Sequence, residues 1–178
     1  MPKPTRLEVI HRLIRDVPDF PRPGIVFKDI TPLLLDPDAF ALAVGEMAEP
    51  YRNQGVTRVV AIESRGFLLG GPVALALAAG LVPIRKPGKL PAARTRVDYA
   101  LEYGSDALEM HGDAVGQGDR VLIVDDVLAT GGTAEAAGKL VRSHGATLAG
   151  FTFLIELAFL NGRERLADEH VEALLRYT

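Results

Sequence analysis

Two adjacent carboxylates, Asp125 and Asp126, are followed after a short interval by Thr130-Gly131-Gly132-Thr133. Before them runs Val121-Leu122-Ile123-Val124, an apolar stretch that suits a strand buried on both faces of a parallel sheet. After them a helical pattern begins at Ala134. Ala134, Ala137, Leu140 and Val141 share one face, and Gly145 stands just past the end as a C-terminal cap. Glycines let backbone N–H groups approach an anion closely. A helix start adds unpaired donors and a positive dipole end, and the threonines add hydroxyls. The combination makes a cup for a phosphate. Carboxylates repel phosphate, so Asp125 and Asp126 must meet another part of the same ligand. A pair of sugar hydroxyls, which donate hydrogen bonds to carboxylates, is the natural choice. The ligand these residues imply is a ribose carrying a 5-phosphate. The chain has neither the Gly-x-x-x-x-Gly-Lys-Ser/Thr of an ordinary P-loop nor the Rossmann Gly-x-Gly-x-x-Gly.

Two further loops carry candidate anion contacts. Thr57 to Ile62 reads as a buried strand that runs into Glu63-Ser64-Arg65-Gly66, with a small-residue helix from about Phe67 to Ala79. Leu81 to Ile84 reads as a strand that ends in Arg85-Lys86-Pro87-Gly88-Lys89-Leu90-Pro91. From the residues alone, each loop is either an anion contact or a solvated basic turn.

The elements that must position these loops are legible in outline. Thr5 and Glu8 form a capping box, with Leu7, Ile10 and Ile14 on one helical face and Pro18, Pro21, Pro23 and Gly24 closing the helix. Phe20 to Thr31 is too rich in proline for a central strand and reads as an extended, shaped loop. Its Ile25, Val26 and Phe27 are costly to expose and must pack, on the core or on a flat ligand. Asp36-Pro37 is a helix start, and Phe40, Ala43, Val44 and Met47 keep helical spacing. Residues 92–112 read as a hairpin: Val97, Tyr99 and Leu101 alternate, Leu108 and Met110 can pair with them, and residues 92–97 form the tip. Thr147 to Leu157 is a long strand, Gly162 to Ala167 a short helix and Val171 to Tyr177 a last strand.

Buried strands alternating with helices predict a doubly wound parallel α/β sheet. Ligands of such folds bind outside the carboxyl ends of the strands, where all three loops fall. A chain of 178 residues suits one domain with a sizeable core. A net charge of −3 leaves no basic footprint for nucleic acid. The absence of cysteine excludes a disulfide framework and a thiolate metal site. His11, His111, His144 and His170 lack ligand spacing. No apolar run is long enough to span a membrane, and no secretory signal is read among Arg6, Arg12 and Arg15, so a cytoplasmic protein is expected.

The apolar strand, Asp-Asp and Thr-Gly-Gly-Thr resemble the signature of type I phosphoribosyltransferases, which use phosphoribosyl pyrophosphate (PRPP). Two other segments narrow the resemblance. Phe20-Pro-Arg-Pro-Gly-Ile-Val-Phe-Lys-Asp-Ile30 and Arg85-Lys-Pro-Gly-Lys-Leu-Pro91 are similar to segments of adenine phosphoribosyltransferases. The likeness spans nearly the whole chain and includes Tyr99-Ala-Leu-Glu-Tyr-Gly104, similar to the family's closing loop. It implies a single domain over residues 1–178, with an N-terminal hood to about residue 35, a core from 36 onward and a mobile hairpin loop. It implies transfer of the phosphoribosyl group of PRPP to adenine, giving AMP and pyrophosphate. Mg²⁺ is then carried mainly by PRPP, with no side-chain ligand set, and the chain forms a homodimer.

Residue roles follow from the same resemblance. Ala129, Thr130, Gly131, Gly132 and Thr133 hold the 5-phosphate, and Asp125 and Asp126 the ribose. Glu63, Ser64 and Arg65 form the pyrophosphate loop, with a non-proline cis peptide at Glu63-Ser64. Arg85, Lys86 and Lys89 face the pyrophosphate, some of them across a subunit boundary. Phe27 stacks on adenine opposite Val127, where many relatives carry Leu. The backbone near Val26 and Lys28 reads the base edge, and Lys28 stands where Arg is usual. Glu102 and Tyr103 sit over the reaction, Glu102 and Arg65 being the catalytic candidates. Two alternatives remain: a related enzyme acting on another purine, and a non-catalytic PRPP-binding regulator. The hood opposes the first, and the lack of a basic face opposes the second.

Overall fold

A capping box opens the first helix of the computed structural model, which describes residues 4–100 and 105–178. The Glu8 N–H donates to Thr5 Oγ1 at 3.2 Å, and the Thr5 N–H donates to Glu8 Oε2 at 2.7 Å. The helix they start, α1 (Arg6–Arg12), is shorter than its apolar pattern predicts. It is not closed by the prolines. Leu13 caps it, and Arg15–Pro18 forms strand β1, antiparallel to β2 (Val26–Asp29). Val26–Asp29 of the predicted shaped loop is therefore one arm of a two-stranded ribbon. Hydrophobic alternation does not reveal this ribbon because cross-strand charges help hold it. Arg15 pairs with Asp29 at 2.5 Å, and Lys28 with Asp16 at 2.6 Å. Pro18 is tolerated because it ends an edge strand. Phe20 meets the Phe27 ring edge-on, with centroids 5.2 Å apart. Helix α2 (Thr31–Leu35) follows. Asp36 then accepts hydrogen bonds from the N–H groups of Asp38 and Ala39 at 3.1 and 3.0 Å and starts α3 (Pro37–Ala48) as predicted.

The chain divides into two compact units, one reaching to Glu46 and one from Met47 onward. The second contains β3 (Arg58–Ile62), α4 (Gly66–Ala76), β4 (Gly80–Ile84), β5 (Arg94–Ala100), β6 (Ser105–His111), β7 (Arg120–Leu128), α5 (Gly132–Ser143), β8 (Thr147–Leu157) and β9 (Val171–Tyr177). Strands β4-β3-β7-β8-β9, in that order, form one sheet in which every neighbouring pair is parallel. Strand alternation shows that the sheet is covered on both faces. Val60 and Ile62 join the apolar cluster that contains Ala137, Leu140 and Val141 of α5. Ala61 between them faces the other way: an ideal Cβ on Gly70 of α4 would lie 2.5 Å from the Ala61 Cβ. This is the predicted doubly wound arrangement.

Strands β5 and β6 form the expected antiparallel hairpin, with Val97 opposite Leu108. Arg94–Val97 belong to strand β5 and are not its tip. Leu108 and Met110 are buried in the same cluster as α5. Helix α4 ends at Ala76, sooner than its small residues predict, and α5 begins two residues earlier, at Gly132. The predicted helix after β8 is a 3₁₀ turn, Gly162–Leu166. Among the described residues, no helix is long and apolar enough to cross a membrane.

Candidate active site

Because β3 lies between β4 and β7, the loops that leave the carboxyl ends of these strands are neighbours. The Glu63-Ser64 peptide after β3 is cis, as the resemblance implies. The Glu63 side chain is 6% exposed and gathers two cations. Arg85 Nε donates to its Oε2 at 2.7 Å and Lys89 Nζ to its Oε1 at 3.0 Å. Burial alone would raise this carboxyl, but the bonds from Lys89 and Arg85 outweigh it and hold Glu63 below the usual carboxylate range. The Arg85 guanidinium also lies over the Phe67 ring, 5.9 Å from its centroid. Arg85 and Lys89 are thus aimed by a shared acid, while the Ser64 side chain is exposed beside them.

On the other side of β3, the acid pair lies inside β7, which runs on to Leu128, past the predicted strand end at Val124. Asp126 is 4% exposed, and its Oδ2 lies 2.5 Å from Arg65 Nε. Asp125 Oδ1 accepts a hydrogen bond from the Asp126 N–H at 2.8 Å. Desolvation, and then the Asp126 charge, push the Asp125 carboxyl well up. Asp126 is also raised by desolvation, against the pull of Arg65. Two acids whose ionised forms are both penalised by their surroundings suit a ligand that brings hydroxyl donors. Gly66, the first residue of α4, fits closely against this pair. An ideal Cβ there would lie 2.8 Å from Asp125 Oδ1 and 3.0 Å from the Val124 carbonyl oxygen.

Beyond the acids, a hollow is lined by Asp125, Val127, the loop from Leu128 to Ala134, and Phe153. It contains Ala129, Thr130, Gly131, Gly132 and Thr133, the whole predicted phosphate cup. Gly131 takes a left-handed φ of 81° and turns the chain into α5, so that the first N–H groups of the helix border the hollow. The Thr133 hydroxyl donates to the Tyr99 oxygen at 3.3 Å, and the Tyr99 hydroxyl to Asp106 Oδ2 at 3.4 Å. Lys86 Nζ lies 2.8 Å from the same Asp106 oxygen. That bond is the main cause of a raised Lys86 and a lowered Asp106.

The structure therefore gathers Glu63, Ser64, Arg65, Arg85, Lys86, Lys89, Asp125, Asp126 and the cup onto adjoining loops. Val26, Phe27 and Lys28 belong to the N-terminal unit, where Lys28 directs its ammonium to Asp16. Glu102 and Tyr103 lie outside the described residues. Three residues that organise the site have no ligand role in the sequence reading, which places Tyr99 only in the hairpin and its closing-loop match. Tyr99 and Asp106 tie the cup to Lys86. Glu109 accepts from the Gly88 N–H at 3.0 Å and pairs with Arg94 at 3.0 Å, steadying the cationic loop. Asp106 left one signal: it shares the strand parity of Leu108 and Met110, a carboxylate on an otherwise apolar side. Among the described residues, no group of three or more His, Asp or Glu side chains could hold a metal ion.

Comparison with known proteins agrees with this geometry. Residues 34–172 match the family model of the phosphoribosyl transferase domain. Adenine phosphoribosyltransferase of Myxococcus xanthus is 61% identical over 164 residues, covering 92% of this chain and 89% of that one. The crystal structure of adenine phosphoribosyltransferase from Rhodothermus marinus superposes with a TM-score of 0.93 at 54% identity, over 97% of this chain and 98% of that one. The enzyme from Saccharomyces cerevisiae, solved with an imino-altritol bisphosphate and adenine, gives a TM-score of 0.90 at 40% identity, over 96% and 98% of the two chains. The chain belongs to the adenine phosphoribosyltransferase family.

Proposed function

We propose that this protein transfers the phosphoribosyl group of PRPP to adenine, giving AMP and pyrophosphate. The observation that carries this reading is the desolvated Asp125–Asp126 pair between the Thr-Gly-Gly-Thr cup and a cluster of cations. A carboxylate pair is wasted on a bare phosphate and apt for a sugar attached to one. Displacement at the anomeric carbon forms a bond from an adenine ring nitrogen and breaks the bond to pyrophosphate, which leaves with the electron pair. Positive charge builds on the ribose ring, which Asp125 and Asp126 fix through its hydroxyls. Arg65, Arg85, Lys86 and Lys89 neutralise the leaving pyrophosphate, with Glu63 aiming two of them. Ala129 to Thr133 hold the 5-phosphate. Val26, Phe27, Lys28 and Val127 take the adenine, Lys28 through its backbone. Glu102 accepts the proton that the adenine loses, and Tyr103 closes with it. The side chains around the pyrophosphate are mostly cations, which do not ligate a metal. Mg²⁺ accordingly comes with PRPP, whose oxygens suit this hard ion, and adds charge neutralisation when bound. The chain acts as a single domain with a hood to about residue 35, in the cytoplasm.

A homodimer completes the reading. Strand β4 lies at the sheet edge, and Leu75 of the adjoining α4 is 84% exposed, with Leu68 and Leu81 each 48% exposed. A second copy of the chain covers this apolar face.

The test is pyrophosphate release with PRPP and Mg²⁺, offering adenine, hypoxanthine, guanine and orotate separately. Release with adenine alone is expected. Release with another base would overturn the assignment of residues 26–28. Silence with every base, with PRPP still bound, would overturn catalysis.

A further inference from the structure

The back of the phosphate cup rests on a turn that lies outside every motif. An ideal Cβ on Gly131 would lie 2.3 Å from the Gly162 carbonyl oxygen. One on Gly162 would lie 2.0 Å from the Ala129 carbonyl oxygen and 2.8 Å from the Gly131 nitrogen. The two backbones touch with no side chain between them, so the position of Gly162 sets that of Ala129 to Gly131. The next residue in turn fixes Gly162. Arg163 donates through Nε and Nη2 to the two Glu156 oxygens at 3.1 and 2.6 Å, and through Nη1 to the Val171 carbonyl at 2.7 Å. Glu156, near the end of β8, is 3% exposed, and Val171 begins β9. The guanidinium fork therefore pins the backing turn to two strands of the central sheet. The Arg163 bonds are also the main cause that holds the Glu156 carboxyl below its usual range, so the pair stays ionised.

We propose that the Glu156–Arg163 pair is a positioning device for the 5-phosphate loop, acting through Gly162 and not by touching the ligand. The proposal rests on the assignment of Ala129 to Thr133 to the 5-phosphate. A bidentate fork is needed because the turn must be held in orientation as well as in place. An ammonium supplies the charge without the orientation. Arg163→Lys tests this directly. It raises the KM for PRPP and the Kd for ribose 5-phosphate by roughly tenfold, the scale expected when a small displacement reaches a binding loop. The KM for adenine stays within about twofold, because the displaced loop holds phosphate and not the base. If Arg163→Lys does not fold, Glu156→Gln, which keeps the side-chain volume, must show the same split. A lowered Tm with both KM values shifted alike, or with neither shifted, would overturn the proposal and leave the pair a structural one. Backbone amide shifts of residues 129–133 in the wild-type protein on adding ribose 5-phosphate keep the two assignments apart. No shift would overturn the phosphate assignment itself. A clear shift, with both variants kinetically normal, would overturn only the positioning role.

Discussion

The acids of this site pull in opposite directions. Asp125 is raised by desolvation and by its neighbour, so its ionised form weakens the fold at neutral pH, and stability is gained as the pH falls through its folded value. Asp125→Asn is expected to stabilise the ligand-free protein by about 1 kcal/mol, or roughly 2–4 °C for a chain of this length. The same change should raise the KM for PRPP by roughly tenfold or more, the scale of a lost charged hydrogen bond. A thermal scan and a PRPP titration check the two halves. Glu63 behaves in the reverse sense. Its folded value lies below the ordinary one, so its contribution is complete above about pH 4.3, the ordinary glutamate value, and is lost as the pH falls through the folded value. Glu63→Gln should cost about 1–2 kcal/mol near pH 7, a figure kept low because Arg85 and Lys89 are partly exposed. Urea unfolding at several pH values should show the gap to wild type closing in acid. Both acids were legible in the sequence because they sit inside compact motifs. Asp106, Glu109 and Glu156 were not, because a carboxylate takes its meaning from its partner. Lys86, Arg94 and the turn after β8 reach these acids only through the fold.

At the scale of the element, the site is a set of strand ends that need the backbone to come close. Gly66 is the clearest case. A methyl there would lie 2.8 Å from Asp125 Oδ1 and 3.0 Å from the Val124 carbonyl oxygen, and the latter, being backbone, cannot move aside cheaply. Gly66→Ala is therefore expected to cost about 1–3 kcal/mol, as overpacking does, and to raise the KM for PRPP by displacing Asp125. Urea unfolding and steady-state kinetics would show both effects, and a neutral result in each would mean that α4 can shift freely against β7. The buried strands β3, β7 and β8 were readable because a strand covered on both faces writes a continuous apolar run. The β1–β2 ribbon was not, since its arms are four residues each and carry charges that pair across the ladder. The limits of α1 and α4 were misjudged for a related reason: periodicity shows which residues suit a helix, but not where the chain must leave it to pair elsewhere.

For the whole molecule, the strand order places the acid pair between neighbours that matter for different reasons. On one side, β3 and β4 bring the cations. On the other, β8 and β9 bring the backing turn. The exposed Leu68 stands in the first turn of α4, three residues after Arg65, so the proposed dimer face starts near the pyrophosphate loop and runs away from it through Leu75 and Leu81. Leu75→Glu should convert the dimer to a monomer in light scattering, as a charge placed in an apolar contact does. An unchanged mass would move the interface elsewhere. The parallel order was foreseeable from alternating strands and helices. The contact of Gly131 with Gly162 was not, because nothing local in a glycine says what passes behind it.

That contact has a consequence for how the protein is made. Every described residue assigned to the ligand has left the ribosome before α5 is complete, while Gly162, Arg163 and β9 emerge later. A nascent chain that stops after β8 would carry all of those groups and still lack the surface that shapes the phosphate loop. On the proposed reading, competence to hold PRPP then arrives with the segment after β8, and a protease cut between β8 and β9 would silence the protein while leaving those residues intact.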